Sequence, residues 1–240
     1  VTTPSNTSTQ TITGTMENNA SIAVGINTTA IAGTVTYPTA TTWSCAISNL
    51  AAGANNITAT ATDGVGNTAT ATASITYDAI APTVTITSPA TGTTSDNTPL
   101  LTYSVSDGSV VVKVDNVVVS KTSGDSLSTL TDGSHTVRVE ATDSANNTGS
   151  AEIAFTVDTT APAVSINSVS TPTNVNSQSI TGAMESGATV SVTVSTTATV
   201  GIVTYPTSNT WSCLITNLIS GANNITVTAT DGAGNASTAT

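Results

Sequence analysis

Two sets of oxygen-bearing side chains recur along the chain: Asp63, Asn67 and Asp78, then Asp143, Asn147 and Asp158. Each set offers two carboxylates and an amide. These are the hard oxygen donors that calcium gathers six to eight at a time, so each set could hold the ion with help from backbone carbonyls and water. That requires the turn before the last strand of a unit, and the linker after it, to fold back towards one junction. The ordinary alternative is that each Asp caps its own turn through an Asx hydrogen bond. Distance weighs against the calcium reading. The 11 residues from Asn67 to Asp78 span roughly 35 Å if extended, about the length of a unit, and Asp63 and Asp78 could then stand at opposite ends.

No other constellation promises a reaction. His135 is the single histidine, and the alternation of Val137 and Val139 places it at the start of a strand as an ordinary edge residue. Cys45 and Cys213 occupy equivalent places in separate repeats, too far apart for the Cα separation of about 7 Å that a bridge needs. Each is expected as a small buried apolar side chain, or as a partner for the same residue of another chain. Glu17, Glu140, Glu152 and Glu185 are scattered on strands and form no pair of the kind that hydrolyses glycosides. No catalytic residue and no bound cofactor is expected, apart from the possible calcium.

The elements that must position these residues come from repetition. Residues 1–72 and 169–240 align without a gap at a constant offset of 168, with 44 of 72 positions identical. A shorter relative lies between them. The turn Ala61-Thr62-Asp63-Gly64-Val65-Gly66-Asn67 returns at 141–147 and again at 229–235, spacings of 80 and 88. Asp78-Ala79-Ile80-Ala81-Pro82 and Asp158-Thr159-Thr160-Ala161-Pro162 mark the joints, where proline stops a strand ladder from running on. The units are therefore 1–79, 80–159 and 160–240, tied by linkers too short to leave much slack. The first lacks most of its opening strand and the third part of its closing strand. Either these residues are a window on a longer array, or strands of neighbouring chains complete the ends.

Within each unit the pattern has period two. From Ala69 to Tyr77 the odd residues are apolar and the even ones carry hydroxyls, which predicts a strand with one face buried. Ile57/Ala59/Ala61, Val137/Val139/Ala141 and Ile225/Val227/Ala229 read as inward sets in the same way. No stretch supports a helix, and Gly, Asn, Asp and Pro punctuate the chain about every ten residues. Asp115-Asn116 predicts a two-residue hairpin with positive φ. Lys121-to-Leu130 replaces the Tyr37-to-Cys45 region in the middle unit, which should have one strand fewer or a shorter one. Seven or so short strands per unit predict tandem Greek-key sandwiches. Their cores are centred on Trp43, Ile47, Leu50 and Ile57, and on Trp211, Ile215, Leu218 and Ile225.

Composition excludes several partners. The 240 residues carry a net charge of −11 with three basic side chains, Lys113, Lys121 and Arg138, so no row of phosphates can be neutralised and nucleic acid is not a partner. The most apolar stretch, Val110 to Val119, is broken by Lys113, Asp115 and Asn116, and no membrane insertion is expected.

The Ala-Thr-Asp-x-x-Gly-Asn turn, the Asp-x-x-Ala-Pro linker and the Thr-Trp-Ser-x-x-Ile-x-Asn-Leu-x-x-Gly-Ala-Asn-x-Ile-Thr strand pair together resemble tandem bacterial immunoglobulin-like domains of large secreted surface proteins and adhesins. The resemblance spans all three units. It implies an all-β fold of tandem immunoglobulin-like sandwiches, extracellular and non-enzymatic, serving as a structural segment of a surface stalk, adhesin or filament. Some of these adhesins stiffen their junctions with calcium. The expected partners are neighbouring repeats of the same or an identical chain, with a cell-surface or glycan ligand possible. The alternative within the resemblance is an accessory module, carbohydrate-binding or spacer, of a secreted polysaccharide-degrading enzyme. That role needs an exposed aromatic platform, for which Tyr37, Tyr205, Trp43 and Trp211 are the candidates.

Overall fold

The structure, a computed structural model, describes residues 2–240. Among the described residues there is no helix; the regular structure is all strand. In the first sandwich β1 (Gln10–Thr15), β4 (Thr42–Ser48) and β3 (Ile31–Thr39) form one sheet in that order, and β2 (Ser21–Ile26), β5 (Gly53–Thr62) and β6 (Thr68–Tyr77) form the other. The middle region holds β7 (Val84–Ser88), β8 (Gly92–Thr94), β9 (Thr102–Val105), β10 (Ser109–Val114), β11 (Val117–Val119), β12 (Gly133–Thr142) and β13 (Thr148–Val157). They make a sheet in the order β11-β10-β12-β13-β8 and a pair β7-β9. The last sandwich comprises β14 (Gln178–Ala183), β15 (Thr189–Val194), β16 (Thr199–Val200), β17 (Thr204–Thr207), β18 (Thr210–Thr216), β19 (Ile225–Thr230) and β20 (Ala236–Ala239). Its sheets run β14-β18-β16, with β17 also on β18, and β15-β19-β20.

By compactness the chain divides into two units. One comprises Val1–Ile86, Tyr103–Lys113 and Arg138–Glu152; the other comprises Thr87–Thr102, Val114–Val137 and Ile153–Thr240. The division passes through β10, β12 and β13 rather than along the linkers.

In the first unit the core of the opening sandwich follows from alternation. Trp43, Cys45 and Ile47 turn to one side of β4 and meet Ile12, Leu50, Ile57 and Ile75. Asn55 is fully buried beside them, and a buried amide must be hydrogen-bonded to be tolerated. Its Oδ1 accepts from the Ala51 N–H (3.0 Å) and the Thr28 hydroxyl (2.6 Å), while Nδ2 donates to the carbonyls of Ala51, Gly53 and Ile75. One expectation fails here. Ala69, Ala71 and Ala73 of β6 are exposed, and only Ile75 of that alternating set is buried. No described strand lies along the outer edge of β1, so the inward face of β6 fronts an open groove.

In the second unit Trp211, Cys213 and Ile215 repeat the pattern on β18 against Ile180, Val190, Val227 and Ala229. Leu218 and Ile225 are partly buried around this core. Lys121-to-Leu130 forms no strand except through a bridge from Ser126 to Leu100. It is held instead by backbone bonds from Leu101 N to Asp125 O, Leu127 N to Pro99 O and Leu130 N to Asn97 O, which seat Leu127 in the core. Asp115 and Asn116 have φ of 50° and 65° and close the β10-β11 hairpin, as their tolerance of the left-handed region predicts.

Both cysteines are free and buried, each with Sγ near a glycine carbonyl, Gly33 or Gly201, at 3.3 Å. Burial pushes both thiols above their ordinary range, so they behave as small apolar side chains.

Candidate functional site

The Asp-Asn turn is built three times on one plan. Asp63 Oδ1 accepts from the N–H groups of Val65 (2.9 Å) and Asn67 (2.8 Å), and its Oδ2 accepts from Asn67 Nδ2 (2.8 Å). Asp143 does the same with Ala145 and Asn147, and Asp231 with Ala233 and Asn235. The tightness requires positive φ at the fourth residue, where Gly66, Asn146 and Gly234 stand, residue types that adopt it readily. In each turn the Asn side-chain amide holds the carboxyl below the usual carboxylate range, reinforced by backbone N–H donors.

Two of the three turns also grip a linker. Asn147 Nδ2 donates to the Asp78 carbonyl at 2.9 Å, across 69 residues of sequence. Asn235 Nδ2 donates to the Asp158 carbonyl at 2.6 Å, across 77. Each amide thus uses one proton to close its own turn and the other to fix the chain entering its sandwich. The linker carboxylates are occupied locally, Asp78 Oδ1 accepting from Ile80 N and Asp158 Oδ1 from Thr160 N. At the second joint Asp132 adds the N–H and hydroxyl of Thr159 and the hydroxyl of Thr160, and those bonds lower its pKa. At the first, the Pro82 carbonyl lies so close over Gly149 that a Cβ there would stand 1.8 Å from it.

The structure therefore regroups the residues singled out from sequence. Asp78 stands with Asp143 and Asn147, not with Asp63 and Asn67. Asp158 stands with Asp231 and Asn235, which sequence reasoning had left out. The extended β6 and β13 carry each linker to the far end of its own sandwich, where it meets the turn of the following one. As placed, each joint presents a turn carboxylate whose oxygens already accept three N–H donors and a linker carboxylate that accepts one, joined at the second joint by Asp132, whose oxygens are taken by Thr159 and Thr160. Among the described residues no group of three or more His, Cys, Asp and Glu stands together. That donor set does not fit calcium's requirement for six to eight oxygens, and the joint as built is closed by hydrogen bonds.

His135 stands at the start of β12, as the alternation predicts, but it is buried and both ring nitrogens are engaged. Nε2 donates to the Thr131 carbonyl and Nδ1 lies against Asp115 Oδ2, both at 2.7 Å. Two acceptors on one ring favour the doubly protonated form, and these bonds raise the His135 pKa. Burial works to raise the Asp115 pKa, but the His135 ring and the Thr136 N–H outweigh it and hold that carboxyl low. The hairpin residue Asp115 is thereby pinned to the start of β12.

The aromatic side chains do not form a platform. Trp43 and Trp211 are core residues. Tyr37 and Tyr205 are about half exposed, but their hydroxyls accept from Ile22 N and Val190 N at 3.0 Å, which ties each to its own sandwich. Among the described residues no helix is long and apolar enough to cross a membrane.

No curated protein matches the chain. Among solved structures, a bacterial ice-binding adhesin of 1.5 MDa is 22% identical over 96% of this chain and 88% of that one, with a TM-score of 0.39. A tetra-tandem repeat from the extending region of a large adhesion protein is 23% identical over 99% and 70%, with a TM-score of 0.31. Fibronectin(III)-like modules of Clostridium thermocellum CbhA are 20% identical over 65% and 87%, with a TM-score of 0.37. The model of the bacterial Ig-like domain (group 3) matches residues 39–126. That match spans 88 of the 240 residues, and sandwiches built on the same turns and strands stand to either side of it.

Proposed function

We propose that this chain is a structural repeat segment of an extracellular surface stalk, adhesin or filament, in which neighbouring sandwiches are its chief partners. One observation carries the reading: the same amide-to-linker bond recurs at Asp78 and Asp158, so the chain spends a dedicated side chain on each linker rather than on a substrate. A surface of hydroxyls and amides with 7% charged residues, and buried rather than exposed tryptophans, accord with a spacer. They give no support to a sugar-stacking accessory module. Small-angle scattering of the full chain tests the reading. Asn147→Ala with Asn235→Ala should release both linkers and broaden the distribution of interatomic distances. Asn67→Ala disrupts a turn with no linker bound to it among the described residues, and should leave that distribution alone. Each amide lost should cost about 1 kcal/mol of local stability. An unchanged scattering profile in the double variant would show that these bonds do not set spacing. A chelator should change neither profile nor melting, because the oxygens of the turn carboxylates are already taken by N–H donors.

A further inference from the structure

The two linkers leave their sandwiches alike and are then held differently. Asp78 N donates to Ser5 O, and Asp158 N to Thr94 O, at 2.9 Å each. The difference begins one residue later. Immediately before β12, the Asp132 carboxylate takes three donors from the second linker: the Thr159 N–H (3.0 Å) and hydroxyl (2.8 Å) on Oδ1, and the Thr160 hydroxyl (2.9 Å) on Oδ2. Asn235 holds the same linker from the following sandwich through Asp158 O. The second linker is thus gripped from both sides over three consecutive residues. At the first joint the residues at the same spacing of 80 are Ala52, Ala79 and Ile80, none of which has a hydrogen-bonding side chain.

The grip of the following sandwich is matched at the two joints, Asn147 on Asp78 O as Asn235 on Asp158 O, and Gly149 against Pro82 O where Ser237 donates to Pro162 O. The grip of the preceding sandwich is not. At the first joint it adds one exposed bond, Asn6 Nδ2 to Asn146 O at 3.2 Å, which reaches the next turn and bypasses the linker. Ile80 is left 78% exposed. Bonds to a carboxylate are roughly twice as strong as those between neutral groups. The bonds from Thr159 and Thr160 also hold the Asp132 carboxyl below its ordinary range, so it is ionised at neutral pH. Three such bonds fix a backbone N–H and two β-branched side chains at once, whereas a segment with few contacts opens locally.

We propose that Asp132 with Thr159 and Thr160 forms a clasp that stiffens the second joint, and that the first joint, built without it, is the one that yields. This rests on the reading of the chain as a spacer and adds which of its joints moves. Backbone amide relaxation, measured by NMR on the full chain, reads each linker by itself. The order parameters of Ala79 and Ile80 should fall towards the flexible range below about 0.6, while those of Thr159 and Thr160 stay near the rigid value of about 0.85. Thr159→Ala with Thr160→Ile writes the first linker's residues into the second and should bring it down to the first. Asp132→Ala should do the same. Conversely, Ala52→Asp with Ala79→Thr and Ile80→Thr, all at exposed positions, should build the clasp at the first joint and raise its order parameters to those of the second. Equal order at the two linkers of the unaltered chain would overturn the proposal. So would a second linker unchanged by Thr159→Ala with Thr160→Ile, or a first linker unchanged by the transplant. None of these variants touches Asn147 or Asn235, whose loss tests the spacer reading separately by scattering.

Discussion

The first and third sandwiches share 44 of 72 aligned residues, yet one has an open groove where the other is packed. Their tryptophans record the difference: Trp211 is 0% exposed with its indole bonded to Ser165 O, whereas Trp43 is 7% exposed with no such bond. The strands opposite differ likewise. Ala239 of β20 is partly buried, and its equivalent Ala71 of β6 is exposed. Local sequence decides which residues turn inward. Whether that inward face is dry depends on a segment of only seven residues, distant in sequence from the strands it covers.

The largest effect that should separate the two comes from the tryptophans. Trp211→Ala should destabilise its sandwich by about 3–5 kcal/mol, since a packed site cannot collapse around the cavity. Trp43→Ala should fall at or below the lower end of that range, because its ring already borders open space. Hydrogen exchange followed separately in β18 and β4 reads each sandwich by itself. Equal losses in the two would break the comparison.

The glycines beneath these rings give a smaller and more local contrast. A Cβ on Gly182 would sit 1.9 Å from Ser165 O and 2.6 Å from the Trp211 indole nitrogen, so the strand and the ring would both have to move. On Gly14 it would meet only the Trp43 ring, also at 2.6 Å, and that ring can shift into the groove. Gly182→Ala should therefore cost about 1–3 kcal/mol through overpacking, and Gly14→Ala distinctly less. Thermal unfolding of the two variants, followed by exchange in β14 and β1, measures the difference. A Gly14→Ala loss as large as that of Gly182→Ala would mean the groove gives the ring no freedom.

Much of this was legible in sequence, because period-two alternation and turn residues are local signals. Trp43, Ile47, Leu50, Ile57, Trp211 and Ile215 were all named as core from their spacing, and Asp115-Asn116 as a hairpin from residue type alone. The failures were of another kind. Ala69 to Ala73 alternate as a buried strand should, but burial also needs a covering layer, which no periodicity records. Asp78 was grouped with Asp63 on the expectation that turn and linker fold back to one junction, although a ten-residue strand separates them. Asp231 and Asn235 carried the same motif as the other turns, and the estimate of 35 Å for the last strand was the signal that could have reassigned the linkers. The His135 contacts depend on Asp115, 20 residues away on a hairpin, and a lone histidine at a strand start gives no hint of them.

The smallest predicted effect uses the first and third sandwiches as controls, since the single histidine lies in the middle region. The Asp115 carboxylate and the Thr131 carbonyl raise the His135 pKa above its unfolded value near 6.5. A group whose folded pKa is raised stabilises the fold fully below the unfolded pKa, and that contribution is lost as pH rises through the folded value. Asp115 runs the other way: its lowered pKa contributes above the ordinary carboxylate range and is lost as pH falls through the folded value. The pair therefore holds the β10-β11 hairpin to β12 best in mildly acid solution and releases it towards alkaline pH. NMR titration of the His135 ring should give a midpoint above 6.5, and melting of the middle strands should soften as pH rises from the unfolded value through that raised midpoint. His135→Gln should flatten the dependence while the first and third sandwiches stay as they were. A dependence that survived in the variant, or appeared equally in β4 and β18, would assign it to the chain as a whole and not to this contact.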